Sequence, residues 1–165
     1  MKNHLFTLFA FLMAFNINAQ KNLSDLLKEM NKENIPYIYV DSLSKINNKV
    51  ILLDAREKKE YKVSHLKGAM FVGYNKFNLK KTIKSLPNKD AKIVVYCSLG
   101  VRSEDIAEKL KKAGYTNVFN LYGGIFEWKN HDFKVYNAKE KETEKVHAFD
   151  KNWGVWLKKG KKVYN

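Results

Sequence analysis

Ile93-Val94-Val95-Tyr96-Cys97-Ser98-Leu99-Gly100-Val101-Arg102-Ser103 is the stretch on which the reading of this chain turns. An apolar, β-branched run of strand length stops at a cysteine. A short Gly-containing segment then leads into residues 104–113, where Ile106, Ala107 and Leu110 recur at helical spacing. The pattern predicts a thiol at a strand-to-helix turn. Such a turn leaves backbone N–H groups without partners, and the helix dipole presents its positive end to them, so an anion is favoured there. A cysteine in that field loses its proton more readily, and the thiolate is the nucleophile. Arg102 adds a planar fork able to grip an oxyanion through two parallel hydrogen bonds. Among 31 Lys and Arg residues, arginine stands only at 56 and 102. Cys97 is the single cysteine; the bland alternative, a small buried hydrophobe, is opposed by the Gly, the Arg and the helix start that follow it.

Outward from this stretch the chain alternates strands and helices. Residues 37–40 read as a strand, with Asp41-Ser42 able to cap a helix through Ile46, and residues 50–53 as a second, fully apolar strand. Two continuous apolar strands separated by a helix predict a parallel sheet. The second strand ends in Asp54-Ala55-Arg56, at the same sheet edge as Cys97, where parallel α/β folds place their sites. Taken alone, Asp54 and Arg56 make an ordinary ion pair. Further helices are expected over 22–34, 57–62 and 76–86, the last stopped by Pro87-Asn88. A short strand at Val118-Phe119 follows the helix stop at Gly114, and Gly123-Gly124 leads into a helix containing Trp128.

Several motifs now stand in order: Leu53-Asp54-Ala55-Arg56-Glu57, Glu60-Tyr61, His65-Leu66-Lys67-Gly68-Ala69, Cys97 to Ser103, Gly114-Tyr115-Thr116-Asn117-Val118, and Leu121-Tyr122-Gly123-Gly124-Ile125-Phe126-Glu127-Trp128. In order and spacing this set resembles a single-domain rhodanese across residues 37–130. The resemblance implies an α/β fold, a rhodanese-like central parallel sheet flanked by helices on both faces. It further implies a sulfurtransferase. Cys97 would attack the outer sulfur of a small anionic donor such as thiosulfate, carry it as a persulfide, and yield it to a thiol or other thiophilic acceptor, a protein among the candidates. The binding loop would be Ser98, Leu99, Gly100, Val101, Arg102 and Ser103, with Arg102 orienting the donor. Asp54 and Arg56 would form part of the wall beside it. His65 would be structural within its turn, the alternative being a base for the thiol. No cofactor and no metal are implied, and no His, Cys, Asp or Glu cluster has metal-ligand spacing. Ala55 and Ser64 depart from the aliphatic residue and the glycine usual in the family. Glu104 and Asp105, in the first helical turn, oppose the field on Cys97.

Other classes compete with that reading. A rhodanese-fold phosphatase or arsenate reductase would hold five residues between Cys and Arg, and here there are four. A non-catalytic interaction module is another, although many rhodanese-like domains of that kind lack the cysteine that this chain keeps. A persulfide carrier with a protein as its donor differs in partner rather than in chemistry.

The four segments expected are a signal peptide at 1–19, a helical extension at 20–36, the rhodanese-like domain at 37–130, and an aromatic- and Lys-rich extension at 131–165. Lys2, the apolar run 5–15 and Ile17-Asn18-Ala19 carry the signal reading, which predicts export to a periplasm or the exterior with no stable membrane anchor after cleavage. In an oxidising compartment an unpaired thiol needs a reason, and a working nucleophile is one. The absence of a second cysteine argues against a dithiol oxidoreductase. The net charge of +14 comes from scattered lysines, interleaved with acids in 139–145, without a recognised nucleic-acid motif. Nucleic-acid binding is therefore not expected, although the field would concentrate a small anion. Trp153, Trp156, Leu157 and Tyr164 in the last segment are spaced to cover apolar surface of the domain, a partner-docking segment being the alternative.

Overall fold

The computed structural model describes residues 22–46 and 49–164. The expected signal peptide at 1–19 lies outside the described residues. Five strands, β1 (Tyr37–Ile38), β2 (Ile51–Asp54), β3 (Met70–Phe71), β4 (Ile93–Tyr96) and β5 (Val118–Leu121), form one parallel sheet in the order β1-β5-β4-β2-β3. Six helices accompany it: α1 (Leu23–Met30), α2 (Val40–Ser44), α3 (Lys58–Val63), α4 (Leu79–Lys84), α5 (Val101–Lys112) and α6 (Gly124–Asn130). Strand β4 is central and buried at every residue, which is why it reads as an unbroken apolar run. Its residues alternate between two core layers. Val94 and Tyr96 join Leu43, Ile125 and Phe126, whereas Ile93 and Val95 join Ile106, Ala107 and Leu110. The sheet is thus covered on both faces, and the pairing of Asp54 with Tyr96 brings the ends of β2 and β4 to one edge.

Element boundaries differ from expectation in instructive ways. Strand β1 stops at Ile38 and Val40 already opens α2, because Val40 and Leu43, three residues apart, share the buried face. Asp41 and Ser42 consequently lie inside that helix rather than capping it. Helix α4 is shorter than 76–86, starting where the Asn78 side chain accepts the Lys81 N–H at 2.9 Å. Strand β5 runs on to Leu121, with Asn120 N–H donating to Pro36 O at 3.0 Å. Helix α5 begins at Val101 instead of 104, so Arg102 and Ser103 belong to its first turn.

Beyond α6 the chain continues through β6 (Val135–Tyr136), β7 (Glu142–Thr143), β8 (Lys145–His147), α7 (Lys151–Gly154) and β9 (Lys161–Val163). Strands β6 and β7 pair antiparallel, and β8 and β9 parallel. Val135, Val146, Ala148 and Leu157 are fully buried and join the core layer of α6. Asn130 ties the segment down, its side-chain N–H donating to Trp156 O at 2.9 Å and its carbonyl accepting the Lys158 N–H at 2.7 Å. No helix among the described residues is long and apolar enough to cross a membrane.

Candidate active site

Cys97 follows β4 directly and is 2% exposed. The peptides after it are oriented through their carbonyls. Helix α6 aims two N–H groups at this turn, Ile125 donating to Cys97 O at 2.9 Å and Phe126 to Ser98 O at 3.2 Å. The Gly100 carbonyl accepts from the side chains of Asn120 at 2.7 Å and Asn31 at 3.0 Å. A planar trans peptide points its N–H opposite to its C=O. Holding these three carbonyls outward therefore turns the N–H groups of Ser98, Leu99 and Val101 the other way, into the turn. The Gly100 N–H donates to Cys97 Sγ at 3.1 Å. Gly100, at φ +116°, caps α5 in a conformation that side chains rarely adopt. Gly124 is required for a different reason: a Cβ there would lie 2.4 Å from Cys97 O and 2.6 Å from Ser98 O.

Burial would raise the Cys97 pKa. The Arg102 charge and the hydrogen bonds from Ser103 and Gly100 outweigh it and hold the thiol below its ordinary value. The Ser103 hydroxyl lies 3.5 Å from the sulfur and 2.7 Å from Asn120 Oδ1, within reach of both. Asn120 was not among the expected site residues. Its signal is a polar residue inside the otherwise apolar Val118-Phe119-Asn120-Leu121 strand, where burial demands a partner.

The expected free fork of Arg102 is corrected by a carboxylate. Arg102 Nη1 and Nη2 donate to the two Glu60 oxygens at 2.8 and 2.7 Å, and Nη2 also reaches Ser98 Oγ at 3.1 Å. Glu60 is buried at the third position of α3, where it also accepts the Glu57 N–H at 2.9 Å to close a capping box. Burial would push its pKa up, but the Arg102 bonds and charge prevail and hold it below the usual carboxylate value. Glu57-x-x-Glu60 is visible in the sequence, yet a helix cap accounts for it fully, so nothing there marked Glu60 as an active-site residue.

Asp54 and Arg56 are brought to the right edge but not into a wall of the site. Both are fully buried, with Arg56 Nε 3.0 Å from Asp54 Oδ1 and Nη2 2.6 Å from Asp54 Oδ2. Arg56 Nη2 donates also to Ser64 O at 2.6 Å, which draws the guanidinium toward the His65 turn rather than the thiol. They brace that turn as an ion pair. His65 is engaged on both ring nitrogens, with Tyr61 O at 3.1 Å and Glu140 Oε1 at 3.0 Å, and stacks on Tyr61. That arrangement fits the structural reading over the base. With α5 starting at Val101, only Glu104 of the two expected acids lies in its first turn; Asp105 lies beyond it and accepts from the Tyr74 hydroxyl at 2.6 Å. Glu104 is buried, and burial pushes its carboxyl up.

Above the sulfur is a cavity of about 100 Å³ lined by Cys97, Ser98, Leu99, Val101, Arg102, Phe149 and Trp153. Gly100 and Ser103 sit behind the sulfur instead. The last two lining residues come from the C-terminal segment, expected to cover apolar surface or, alternatively, to dock a partner. The Arg102 guanidinium carbon is 5.0 Å from the Phe149 ring centre. Among the described residues no group of three His, Cys, Asp or Glu side chains could hold a metal ion.

A lone thiol at the carboxyl edge of a five-stranded parallel sheet, on a turn of inward amides, defines a class of α/β protein that comparison makes specific. Residues 39–131 match the family model described as "Rhodanese-like domain", and the chain belongs to that family. It is 34% identical over 119 residues to a protein named tRNA uridine(34) hydroxylase from Onion yellows phytoplasma (strain OY-M), covering 70% of this chain and 38% of that protein. It is 35% identical over 80 residues to a probable adenylyltransferase/sulfurtransferase, MoeZ, of Mycobacterium tuberculosis, covering 48% of this chain and 20% of that one. The chain thus spans less than two-fifths of the length of either relative. Among solved structures, a rhodanese-related protein from Thermoplasma volcanium aligns with TM-score 0.54 at 26% identity, over 61% of this chain and 96% of that one. A thiosulfate sulfurtransferase from Pseudomonas aeruginosa shares the fold, with TM-score 0.58 at 17% identity over 74% of this chain and 23% of that one.

Proposed function

We propose that the protein is a sulfurtransferase working through a Cys97 persulfide. The observation that carries the proposal is the buried thiol held below its ordinary pKa in a turn whose amides face inward. The Cys97 thiolate attacks the outer sulfur of a sulfane-sulfur donor such as thiosulfate. A new S–S bond forms, the donor's own S–S bond breaks, and its electron pair leaves on the remnant, sulfite in the case of thiosulfate. The terminal sulfur of the persulfide then carries negative charge, which the N–H groups of Ser98, Leu99 and Val101 are oriented to receive at no cost of reorganisation. A thiol or other thiophilic acceptor attacks that sulfur and restores the thiolate. Asn120, Asn31 and the amino end of α6 hold the cradle, while Arg102 supplies the adjacent positive charge.

Intact mass after incubation with thiosulfate, beside a Cys97→Ser control and followed by cyanide, tests the proposal. The expected result is a gain of one sulfur on the wild type alone, lost to cyanide with release of thiocyanate. A wild type that takes sulfur from no sulfane-sulfur donor rules it out.

A further inference from the structure

The cavity over Cys97 is poorly made for a doubly charged donor. Both terminal nitrogens of Arg102 are already bound by Glu60, so an incoming dianion would have to compete with a buried carboxylate for them. Among the described residues no lysine lines the cavity, although the chain carries a net charge of +14. Beyond Ser98, Arg102 and the thiol itself, the walls are Leu99, Val101, Phe149 and Trp153. A thiolate would also have to receive the dianion in this low-dielectric space, where like charges repel strongly.

The roof of the cavity is held at a cost that calls for a reason. Phe149 adopts φ +66°, uncommon for a bulky residue. The conformation is held by hydrogen bonds on both sides of the residue along the chain. The Phe149 N–H donates to His147 Nδ1 at 3.1 Å, and Asp150 caps α7 by accepting the Trp153 N–H at 2.9 Å. His147 and Ala148, immediately before it, are fully buried. The ring is left 44% exposed over the Arg102 guanidinium and set edge-on to Trp153, with 6.4 Å between ring centres. An aromatic side chain held out of the core, at a strained position, beside a nucleophile, is placed for contact with a ligand.

Resting on the sulfurtransferase reading, we propose that Phe149 and Trp153 are the donor-selecting residues, and that the donor is one whose sulfane sulfur is attached to an apolar organic group and which carries a single negative charge. For an aryl thiosulfonate the step balances without a further reactant. The Cys97 thiolate bonds to the terminal sulfur, the bond between that sulfur and the sulfonyl sulfur breaks, and the arenesulfinate leaves with the electron pair. The apolar group then lies against the two rings, and the Glu60–Arg102 pair stays intact.

Three donors separate the contributions in the full protein: thiosulfate, methanethiosulfonate and benzenethiosulfonate, each assayed by thiocyanate release to cyanide and by intact mass. The expected order of kcat/KM is benzenethiosulfonate over methanethiosulfonate over thiosulfate, with at least tenfold between the first and the last. Methanethiosulfonate has the same charge as the aryl compound, so the aryl advantage reports ring contact without any substitution. Trp153→Ala and Phe149→Gly, the second of which also relieves the backbone, should each bring the aryl-to-methyl ratio to within about threefold. Thiosulfate as the equal or better donor in the wild type overturns the proposal, as does an aryl-to-methyl ratio near one. A ratio unmoved in both variants, with melting unchanged, overturns it as well. Persulfide formation in any of those cases leaves the sulfurtransferase reading standing. Absence of sulfur on Cys97 with all three donors removes both.

Discussion

Beneath the Cys97 sulfur the chain builds with backbone, and above it with side chains. The floor consists of peptide N–H groups aimed by carbonyl contacts from α6, from Asn120 in β5 and from Asn31, which caps the end of α1. The roof consists of Phe149 and Trp153, delivered by a segment whose strands pair with one another, bridged to the domain at Tyr136 and His65, and which leans on it through Val146, Ala148 and Leu157. A backbone cradle reads charge and the size of a single atom, so any sequence that keeps the turn keeps it. An aromatic roof reads the body of the ligand. Chemistry and selectivity are thereby carried by different parts of the chain, and each can be broken without the other.

The largest effect is expected at the floor. Gly124→Ala would drive a Cβ to 2.4 Å from a backbone oxygen that cannot swing aside, at a residue whose φ is +54°. Steric overlap and backbone strain together should remove roughly 3 kcal/mol or more. Thermal melting should show the loss and intact mass should show no persulfide on whatever remains folded. A variant that melts within a degree or two of the wild type would mean that α6 does not set the turn. On the roof side, Leu157→Ala empties a fully buried position and should cost about 2–5 kcal/mol. If the segment is part of the same cooperative unit, the whole protein melts lower in one transition. Two separated transitions would instead make it an independently docked flap.

Between floor and roof sits the Glu60–Arg102 pair, and Glu60→Gln tests its part in the comparison. The change leaves a mostly buried guanidinium short of its partner charge, at a cost of about 1–3 kcal/mol. It also frees that guanidinium for the thiolate and for a donor. The Cys97 pKa should fall further, read as a shift to lower pH in the midpoint of iodoacetamide alkylation, and the thiosulfate KM should drop several-fold. A thiosulfate KM that rises would show that Glu60 helps the donor bind instead of competing with it.

The same division explains what could be read from residues alone. Strand β4 announces itself because a strand buried on both faces has no polar positions to break the run, and Cys97 marks its end. The turn through Ser103 follows from the Gly and the helix beyond it. Local patterns could not separate the two uses of Glu60, since capping satisfies the spacing by itself. The second-residue placement of Arg102 in α5 was hidden because the helix begins just after Gly100, whose φ of +116° suits glycine, three residues before its apolar periodicity starts. Trp153 was legible as an aromatic residue meant to touch something, whereas nothing in the local pattern singled out Phe149. What they touch is fixed by a contact between distant parts of the chain, Leu157 and Val146 packing on the layer of α6, and no periodicity within 145–164 encodes that.

The smallest expected effect concerns how the roof is latched. His147 Nδ1 accepts the Phe149 N–H, so protonation of that nitrogen would remove the acceptor on which the strained turn hangs. Burial pushes the His147 pKa below its ordinary 6.5, the Glu60 charge opposes the shift, and the Lys59, Arg56 and Arg102 charges add to it. A histidine whose folded pKa lies below its unfolded one binds fewer protons when folded. Its contribution to stability is therefore present in full above about pH 6.5 and is lost as pH falls toward the folded value. On acidification Trp fluorescence should shift toward that of exposed indole before the far-ultraviolet circular dichroism of the sheet changes, since α7 carries Trp153 and the roof opens first. His147→Asn places an amide oxygen near the same N–H without a titrating proton and should flatten the profile. An identical acid response in that variant would assign the latch to another group and leave the roof held by Leu157 packing alone.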